Sequence, residues 1–278
     1  MEKGKALVVL SGGQDSTICL FYAIRLFGVE NVMAITFDYD QRHYREINAA
    51  RHVVALAGIQ YHDVVKLGPV LIGKSPLTNK QEELEKYDNF AQMDRIIGDR
   101  VEKTFVPMRN ALFLTIAANR AEVLGCRYIV TGVCQSDNAN YPDCRAVYIL
   151  QQAAAINYAL GYDKSVGGPG IFLLTPLMYV TKAESVEMSL DLPGAYAALA
   201  YTHTAYDGTF PPTSTDHASV LRAQGFLESG WPDPLVLRAV HYGLMETPKT
   251  QNYSRAKVQE ALVRIGPYLH GWSEQDDR

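Results

Sequence analysis

The sequence predicts an α/β protein with a parallel sheet of five strands, flanking helices and a small helical C-terminal extension. Two observations support this class. From residue 6 to residue 174, short apolar or β-branched runs alternate with longer helical patterns, which is the order of strand–helix–strand units. From residue 191 onward the strand patterns stop, and short helical pieces are separated by Pro, Gly and Thr. We therefore predict an α/β domain over residues 1–190 and a helical extension over residues 191–278.

The elements follow one another in a regular order. Ala6–Leu10 is a continuous apolar run, as in a strand that is buried on both faces. Thr17–Phe27 carries apolar residues at helical spacing, and Gly28 ends it. The same reasoning predicts four further strands, at Val32–Phe37, Tyr61–Lys66, Tyr128–Val133 and Phe172–Leu174. It predicts three further helices, at Arg45–Ala57, Arg109–Leu124 and Val147–Leu160.

One segment, residues 73–102, interrupts this order. It is rich in charged residues and shows only weak periodicity. A segment of that length inside a compact domain is usually a lid, a dimer contact or disordered, and the sequence leaves these three alternatives open.

Composition excludes several classes of protein. The 26 Lys and Arg against 30 Asp and Glu give a net charge of −4, so direct binding of nucleic acid through a broad cationic surface is not expected. No apolar run is long enough to span a membrane, and the N-terminus does not have the form of a signal peptide. The four cysteines form no CxxC pair and are expected to be reduced. We predict a cytoplasmic protein.

The sharpest motif is Ser11-Gly12-Gly13-Gln14-Asp15-Ser16, between a predicted buried strand and a predicted helix. Glycines let the backbone approach an anion closely, and the amides at a helix N-terminus favour negative charge. An acidic residue in such a loop points to a divalent cation, so Asp15 is predicted to bind the magnesium of a magnesium–nucleotide complex. A simple tight turn would need only one glycine.

Further polar motifs follow the ends of the predicted strands, where parallel sheets bind ligands. They are Thr36-Phe37-Asp38-Tyr39-Asp40-Gln41-Arg42-His43, Thr104-Phe105-Val106-Pro107-Met108-Arg109-Asn110, Thr131-Gly132-Val133-Cys134, Tyr141-Pro142-Asp143-Cys144-Arg145, Thr175-Pro176-Leu177-Met178 and Lys182-Ala183-Glu184. Their arginines can bind phosphate or carboxylate groups through paired hydrogen bonds.

The first loop resembles the PP-loop of the N-type ATP pyrophosphatases, which have a Rossmann-like fold of the HUP type. With the later motifs, residues 5–190 resemble the QueC family of 7-cyano-7-deazaguanine synthases. The resemblance implies an ATP-dependent carbon–nitrogen ligase that adenylates the carboxylate of 7-carboxy-7-deazaguanine. Coupling to ammonia then gives the amide and the nitrile, a step of queuosine biosynthesis. It also implies a homodimer.

The resemblance and the chemistry of the residues assign three groups. The ATP-binding group is Leu10, Ser11, Gly12, Gly13, Gln14, Asp15, Ser16, Thr17, Thr36, Phe37, Gly132 and Lys182. The substrate-binding group is Arg42, His43, Arg109, Asn110, Asp137, Tyr141, Asp143 and Arg145. The catalytic residues are expected to be Asp15, Arg109 and Lys182. His43 is either a general base or a polar loop residue, and Asp143 either binds substrate or forms a turn with Pro142.

The chain departs from the QueC pattern in its C-terminal part. Members of the family carry a four-cysteine zinc site there, whereas this chain has no cysteine after Cys144, so we predict no zinc. Asp40, Gln135 and the Asn138–Asn140 stretch also depart from the usual residues, which leaves the amine acceptor open. An antiphage (CBASS-type) enzyme that attaches the deazaguanine to a protein amine is the main alternative. A PP-loop tRNA-modifying enzyme and a non-catalytic nucleotide-binding module are weaker ones.

Overall fold

Residues 4–136, 139–162 and 170–269 are described by the structure, which is a computed structural model. They contain a sheet of five strands in the order β3-β2-β1-β4-β5. Each neighbouring pair of strands is parallel. The strands are β1 (Lys5–Val9), β2 (Val32–Asp38), β3 (His62–Lys66), β4 (Cys126–Val130) and β5 (Phe172–Leu174). The predicted fold class is confirmed.

Ten α-helices accompany this sheet in the described part of the chain. They are α1 (Gln14–Phe27), α2 (Arg45–Ala57), α3 (Phe90–Ile97), α4 (Arg109–Leu124), α5 (Ala146–Ala159), α6 (Lys182–Asp191), α7 (Ala195–Ala198), α8 (His217–Ser229), α9 (Pro234–His241) and α10 (Arg255–Ile265). None of the helices in these ranges combines the length and the apolar character needed to cross a membrane.

The central strand β1 divides the apolar core into two layers. Ala6 and Val8 face one cluster together with α1, whereas Leu7 faces a second cluster together with α4 and α5. This alternation follows from the strand period of two. It explains why the strand reads as a continuous apolar run.

The predicted first helix begins too late. The sequence places its start at Thr17, but α1 begins at Gln14, directly after Gly13. Gln14, Asp15 and Ser16 are polar and therefore do not show in an apolar pattern. Their backbone N–H groups belong to the first helical turn, which has no earlier carbonyls in the helix to pair with.

The strand before residues 131–135 ends earlier than predicted. The predicted strand Tyr128–Val133 is Cys126–Val130 in the structure. Thr131, Gly132 and Val133 therefore belong to the loop that leaves the sheet at its carboxyl edge.

The segment 73–102 is folded and contains α3. Tyr87, Met93 and Ile97 are buried against Leu221 of α8. The structure therefore excludes the disordered alternative for this segment. Its early part lies beside the loop after β2, where the backbone N–H of Arg42 donates to the carbonyl O of Leu77 at 3.0 Å.

The C-terminal helices pack on the side of the sheet that carries α1. Leu192, Tyr196, Phe226 and Ile265 belong to the same buried cluster as Phe21 of α1. The helical character predicted for this part of the chain is present in the structure, and its apolar residues extend the core of the first part. The division at residue 190 stays a prediction.

Candidate active site

A cavity of about 320 Å³ opens at the carboxyl edge of the sheet, above β1, β2 and β4. Segments from seven parts of the chain form its walls. They are the loop after β1, the loop after β2, Leu77, the start of α4, residues 131–135 with 139–145, Lys182 and the C-terminal residues 203–222. Most residues that the sequence assigned to ATP or to the substrate therefore share one space.

The loop between β1 and α1 forms the floor of the cavity. Ser11 and Ser16 hydroxyls lie 3.0 Å apart, and the backbone N–H of Ser11 donates to the Ser16 hydroxyl at 3.2 Å. Gly12 has a φ of +87°, and a Cβ there would lie 2.2 Å from the carbonyl O of Glu46. Only glycine permits this approach of the loop to α2. The loop thus presents the start of α1 to the cavity, as an anion site requires.

Gly132 allows a second close approach. A Cβ at this position would lie 3.0 Å from the backbone C of Asp15 and the N of Ser16. The loop after β4 therefore rests directly on the phosphate-loop backbone. This contact explains physically why a glycine stands at a position that the sequence assigned to ATP.

Lys182 and Asp15 form an ion pair at the floor. The Lys182 Nζ lies 2.9 Å and 2.8 Å from the two carboxylate oxygens of Asp15. Lys182 is the first residue of α6, whose start is fixed by a capping box between Thr181 and Glu184. A Cβ on Gly225 would lie 2.5 Å from the Lys182 Cγ, so α8 packs tightly over this side chain.

Asp15 suits a magnesium ion that is bound together with ATP. Magnesium in nucleotide sites takes one or two carboxylates, with phosphate oxygens and waters as its other ligands. No group of three or more His, Cys, Asp or Glu that could hold a metal occurs within the described ranges. A single carboxylate on the cavity floor fits a magnesium that shares the phosphates, whereas it does not fit a protein-only metal cage.

Arg109 is a charged residue of the cavity wall. It is the first residue of α4 and follows Met108, whose φ is +63°. Burial acts to lower the pKa of Arg109, but the neighbouring Tyr39, Tyr141 and Tyr206 raise it above its ordinary value. The guanidinium therefore stays charged and is available to a carboxylate.

Aromatic and polar side chains also line the cavity. The rings of Phe37 and Phe113 are stacked at 4.3 Å between centroids, and both line the cavity. Tyr141 lines it as well, and its hydroxyl lies 2.5 Å from the Thr104 hydroxyl. Burial raises the pKa of Tyr141, so the phenol stays protonated. A flat heteroaromatic ring would find apolar faces and hydrogen-bonding groups here.

Most of the predicted site residues line the cavity, and a few do not. Those that line the cavity are Leu10, Ser11, Gly13, Gln14, Asp15, Ser16, Phe37, Arg42, His43, Arg109, Asn110, Gly132, Tyr141, Arg145 and Lys182. Thr17 and Thr36 lie behind it: both are buried, and their hydroxyls donate to the carbonyl oxygens of Gly13 and Leu10 at 2.8 Å and 2.6 Å. Asp137 lies outside the described residues.

Asp143 caps a helix start instead of facing the cavity. It is buried, and its Oδ2 accepts the backbone N–H of Asn110 at 3.3 Å. The Asn110 side-chain amide donates to the Asp143 carbonyl at 3.4 Å. This arrangement gives Asp143 a structural role toward α4 that is distinct from the predicted substrate contact and from the predicted turn with Pro142. It fixes the start of α4 and thereby the position of Arg109.

Sequence reasoning missed part of the cavity wall. The lining residues to which it assigned no role in ATP or substrate binding include Tyr39, Gln41, Glu46, His203, Tyr206 and Arg222. Glu46 follows His43 by three residues and lies in the first turn of α2, so its nearness in sequence to a predicted site residue was the available signal. His203, Tyr206 and Arg222 come from the distant C-terminal part, where no local pattern points to the cavity.

The C-terminal loop, residues 203–216, is held together by hydrogen bonds of carboxylates and hydroxyls. It lies in the part of the chain in which no zinc was predicted. Asp216 Oδ2 accepts the backbone N–H of Tyr206 at 2.7 Å and the Ser214 hydroxyl at 3.0 Å. Its Oδ1 accepts the backbone N–H of Ser219 at 2.9 Å, which caps α8. Lys86 reaches Asp207 in this loop at 2.5 Å.

A sequence model described as "Queuosine biosynthesis protein QueC" matches residues 5–230. The 7-cyano-7-deazaguanine synthase of Chromobacterium violaceum is 45% identical over 84% of this chain and 94% of that protein. The corresponding synthase of Gloeobacter violaceus is 44% identical over 83% of this chain and 95% of that protein.

The chain belongs to the QueC family. The resemblance stated from the motifs is thereby confirmed, and so is the prediction of a carbon–nitrogen ligase. The QueC match extends beyond residue 190 into α8, so it includes the C-terminal loop that contributes His203 and Tyr206 to the cavity.

Proposed function

We propose that this QueC-family chain uses ATP to adenylate the carboxylate of 7-carboxy-7-deazaguanine and then couples it to ammonia. One observation carries the proposal. A single cavity holds the anion-binding loop, the Asp15–Lys182 pair and the charged Arg109 with its aromatic neighbours. The loop suits the phosphates of ATP, and Arg109 suits the carboxylate of an aromatic acid.

The chemistry follows from this arrangement. A carboxylate oxygen of the substrate attacks the α-phosphorus of ATP, and pyrophosphate leaves with the electron pair of the broken P–O bond. The start of α1 and Lys182 offset the negative charge that develops on the phosphate oxygens. A magnesium ion bound to Asp15 would neutralise further charge. An amine then attacks the acyl carbon and displaces AMP.

The test is product analysis by mass spectrometry. The purified protein is incubated with magnesium, ATP and 7-carboxy-7-deazaguanine, with and without ammonium chloride. We expect AMP, pyrophosphate and an amide or nitrile, the last two only when ammonium is present. Release of AMP and pyrophosphate without either product would favour a protein amine as the acceptor, which is the antiphage alternative. Absence of ATP turnover would contradict the adenylation proposal and favour a non-catalytic module.

Lys182→Gln gives a sharper test of the phosphate site. In the presence of the substrate acid, we expect exchange of labelled pyrophosphate into ATP to fall about 100-fold or more. The reason is that the variant lacks the positive charge that Lys182 places beside the α-phosphate. Lys249→Gln is the matched control, since Lys249 is exposed on the far C-terminal part of the chain. Equal exchange in both variants would remove Lys182 from the mechanism.

We also propose that two copies of the chain associate through α5. Val147, Leu150, Ala154 and Tyr158 are spaced by three or four residues and form one exposed stripe on this helix. The exposed fractions are 65% for Val147, 68% for Leu150 and 71% for Tyr158. A contiguous apolar face of this kind is typical of a protein–protein contact.

A cytoplasmic location remains part of the proposal. All four cysteines are free thiols, as expected in a reducing compartment. The net charge of −4 also argues against the tRNA-modifying alternative, since binding of RNA depends on a cationic surface.

A further inference from the structure

Glu46 is a cavity residue to which the mechanism above gives no role. It lies in the first turn of α2, and its side chain lines the cavity. The exposed fraction of the side chain is 21%. The carboxylate is therefore open to the cavity. The Glu46 backbone packs against Gly12 of the phosphate loop.

His43 stands next to this carboxylate. Its Nε2 lies 3.9 Å from the Glu46 Oε1, and its ring meets the ring of His203 edge-on at 4.7 Å. The His43 Nδ1 is buried and has no hydrogen-bond partner among the residues that the structure describes. The site therefore contains an acidic group that faces the His43 Nε2, while the Nδ1 of the same ring is a separate, unpartnered nitrogen in the described part of the chain.

Titratable side chains from several elements surround Glu46 and His43. The titratable groups that face Glu46 or His43 are Tyr39, Arg45, Arg109, His203, Asp207 and Asp216. Burial raises the pKa of Glu46 to about 7, although Arg109 acts to lower it. Burial lowers the pKa of His43. At neutral pH, Glu46 thus exchanges protons readily, and the His43 ring is uncharged.

We propose that the Glu46 carboxylate receives an ammonium ion in the cavity and removes a proton from it, so that ammonia is formed beside the acyl adenylate. This inference rests on the proposed function. Nearly all ammonia is protonated at neutral pH and has no electron pair to donate, so an enzyme that uses it needs a base. A carboxylate within an enclosed cavity both attracts the cation and accepts its proton.

The step balances as follows. One N–H bond of ammonium breaks, and its proton goes to the Glu46 carboxylate. The ammonia nitrogen bonds to the acyl carbon, and the bond between that carbon and the phosphate oxygen breaks, with its electron pair leaving on AMP. The nitrogen then gives its remaining extra proton to the uncharged imidazole of His43. Both residues return their protons to water as AMP departs.

Glu46→Gln tests the inference because glutamine keeps the shape and loses the base. With ammonium as the acceptor, we expect amide formation to fall about 100-fold. Pyrophosphate exchange into ATP precedes the amine step, so it should keep most of its rate. Glu187→Gln, on the exposed face of α6, is the matched control, and Glu46→Asp should restore part of the amide formation.

Hydroxylamine distinguishes a base from a residue that only positions others. Hydroxylamine is largely uncharged at neutral pH and does not need to lose a proton before it attacks. We expect Glu46→Gln to form the hydroxamate within roughly threefold of the wild-type rate. At a fixed total concentration of ammonium, the wild-type rate of amide formation should rise up to about pH 7, the pKa of Glu46, and then level off. In the variant the rate should keep rising above about pH 7 with the fraction of free ammonia.

Two results would overturn the inference while leaving the proposed function intact. One is amide formation at the wild-type rate by Glu46→Gln. The other is an equal loss with ammonium and with hydroxylamine, in a variant that melts at the wild-type temperature and still exchanges pyrophosphate. Failure of the wild-type protein to exchange pyrophosphate would contradict the proposed function itself and would be recognised without any variant.

Discussion

At the scale of single residues, His203 connects the stability of the fold to pH. It is buried, and its Nε2 lies 2.9 Å from the carbonyl O of Ala205. Burial, and after it the neighbouring His43, lower the pKa of His203 to about 3. The unfolded chain therefore binds a proton at His203 below pH 6.5, whereas the folded chain does so only near pH 3. The contribution of His203 to the free energy of unfolding therefore falls as the pH decreases from 6.5 towards 3.

His203→Gln should reduce the acid sensitivity of the fold. Glutamine does not titrate. The difference in the free energy of unfolding between wild type and variant should therefore change by about 1 kcal/mol for each pH unit below 6.5. Urea unfolding at neutral pH and at pH 5 measures this slope. His241→Gln, at an exposed position, is the control. If the free energy of unfolding changed equally with pH in the wild type and in His203→Gln, the prediction would be contradicted.

At the scale of elements, Asp216 organises the loop before α8. Its carboxylate accepts two backbone N–H groups, those of Tyr206 and Ser219, and one hydroxyl. Asp216→Ala removes a helix cap and leaves buried donors without a partner, so we expect a loss of about 2 kcal/mol in the free energy of unfolding. Urea unfolding measures the loss, and Asp99→Ala at an exposed site should change little.

The same loop predicts the response to metal removal. Because hydrogen bonds hold it, a strong zinc chelator should leave the melting temperature unchanged, within about 1 °C. Differential scanning calorimetry of the protein as purified, with and without the chelator, gives the answer. A clear fall in melting temperature, together with zinc in the elemental analysis, would contradict the prediction that no zinc is bound.

Elements with clear ends were predicted well. The predicted bounds of α2, α4 and β5 agree with the structure, since Gly58 and Gly125 end the two helices in the left-handed conformation. The sequence did not predict α3. This helix has only eight residues, and its buried Met93 and Ile97 pack against Leu221 of α8. A contact between residues so far apart leaves no local pattern.

The candidate site shows the same division. The phosphate loop, Arg109 and Lys182 were predicted because each stands in a motif at a strand end or a helix start. No role in ligand binding was predicted for Glu46 or His203. The fold brings each of them into contact with His43, and no sequence pattern shows these contacts. Asp143 lies in a motif, yet it serves α4 by accepting the Asn110 backbone N–H. A motif thus indicates where a side chain is needed without showing which way it points.

At the scale of the whole molecule, the exposed stripe on α5 predicts the oligomeric state. Leu150→Glu places a charge in the middle of that stripe, and a buried unpaired charge is incompatible with a dimer contact. Light scattering after size exclusion should give twice the chain mass of 30.9 kDa for the wild type and the single mass for the variant. Val263→Glu, on the exposed face of α10, is the control. A monomeric wild type would contradict the dimer proposal.

The hydrogen bond from the backbone N–H of His203 to the carbonyl O of Gly12, 2.9 Å long, has a consequence during synthesis of the chain. A ribosome that has translated as far as α6 has already made the phosphate loop and Lys182. The wall containing His203 and Tyr206 does not yet exist at that moment, and water reaches the loop freely. We therefore expect nascent chains to bind ATP poorly and to consume none. On the proposed function, we expect turnover of nucleotide to begin only after the wall with His203 has formed beside the phosphate loop.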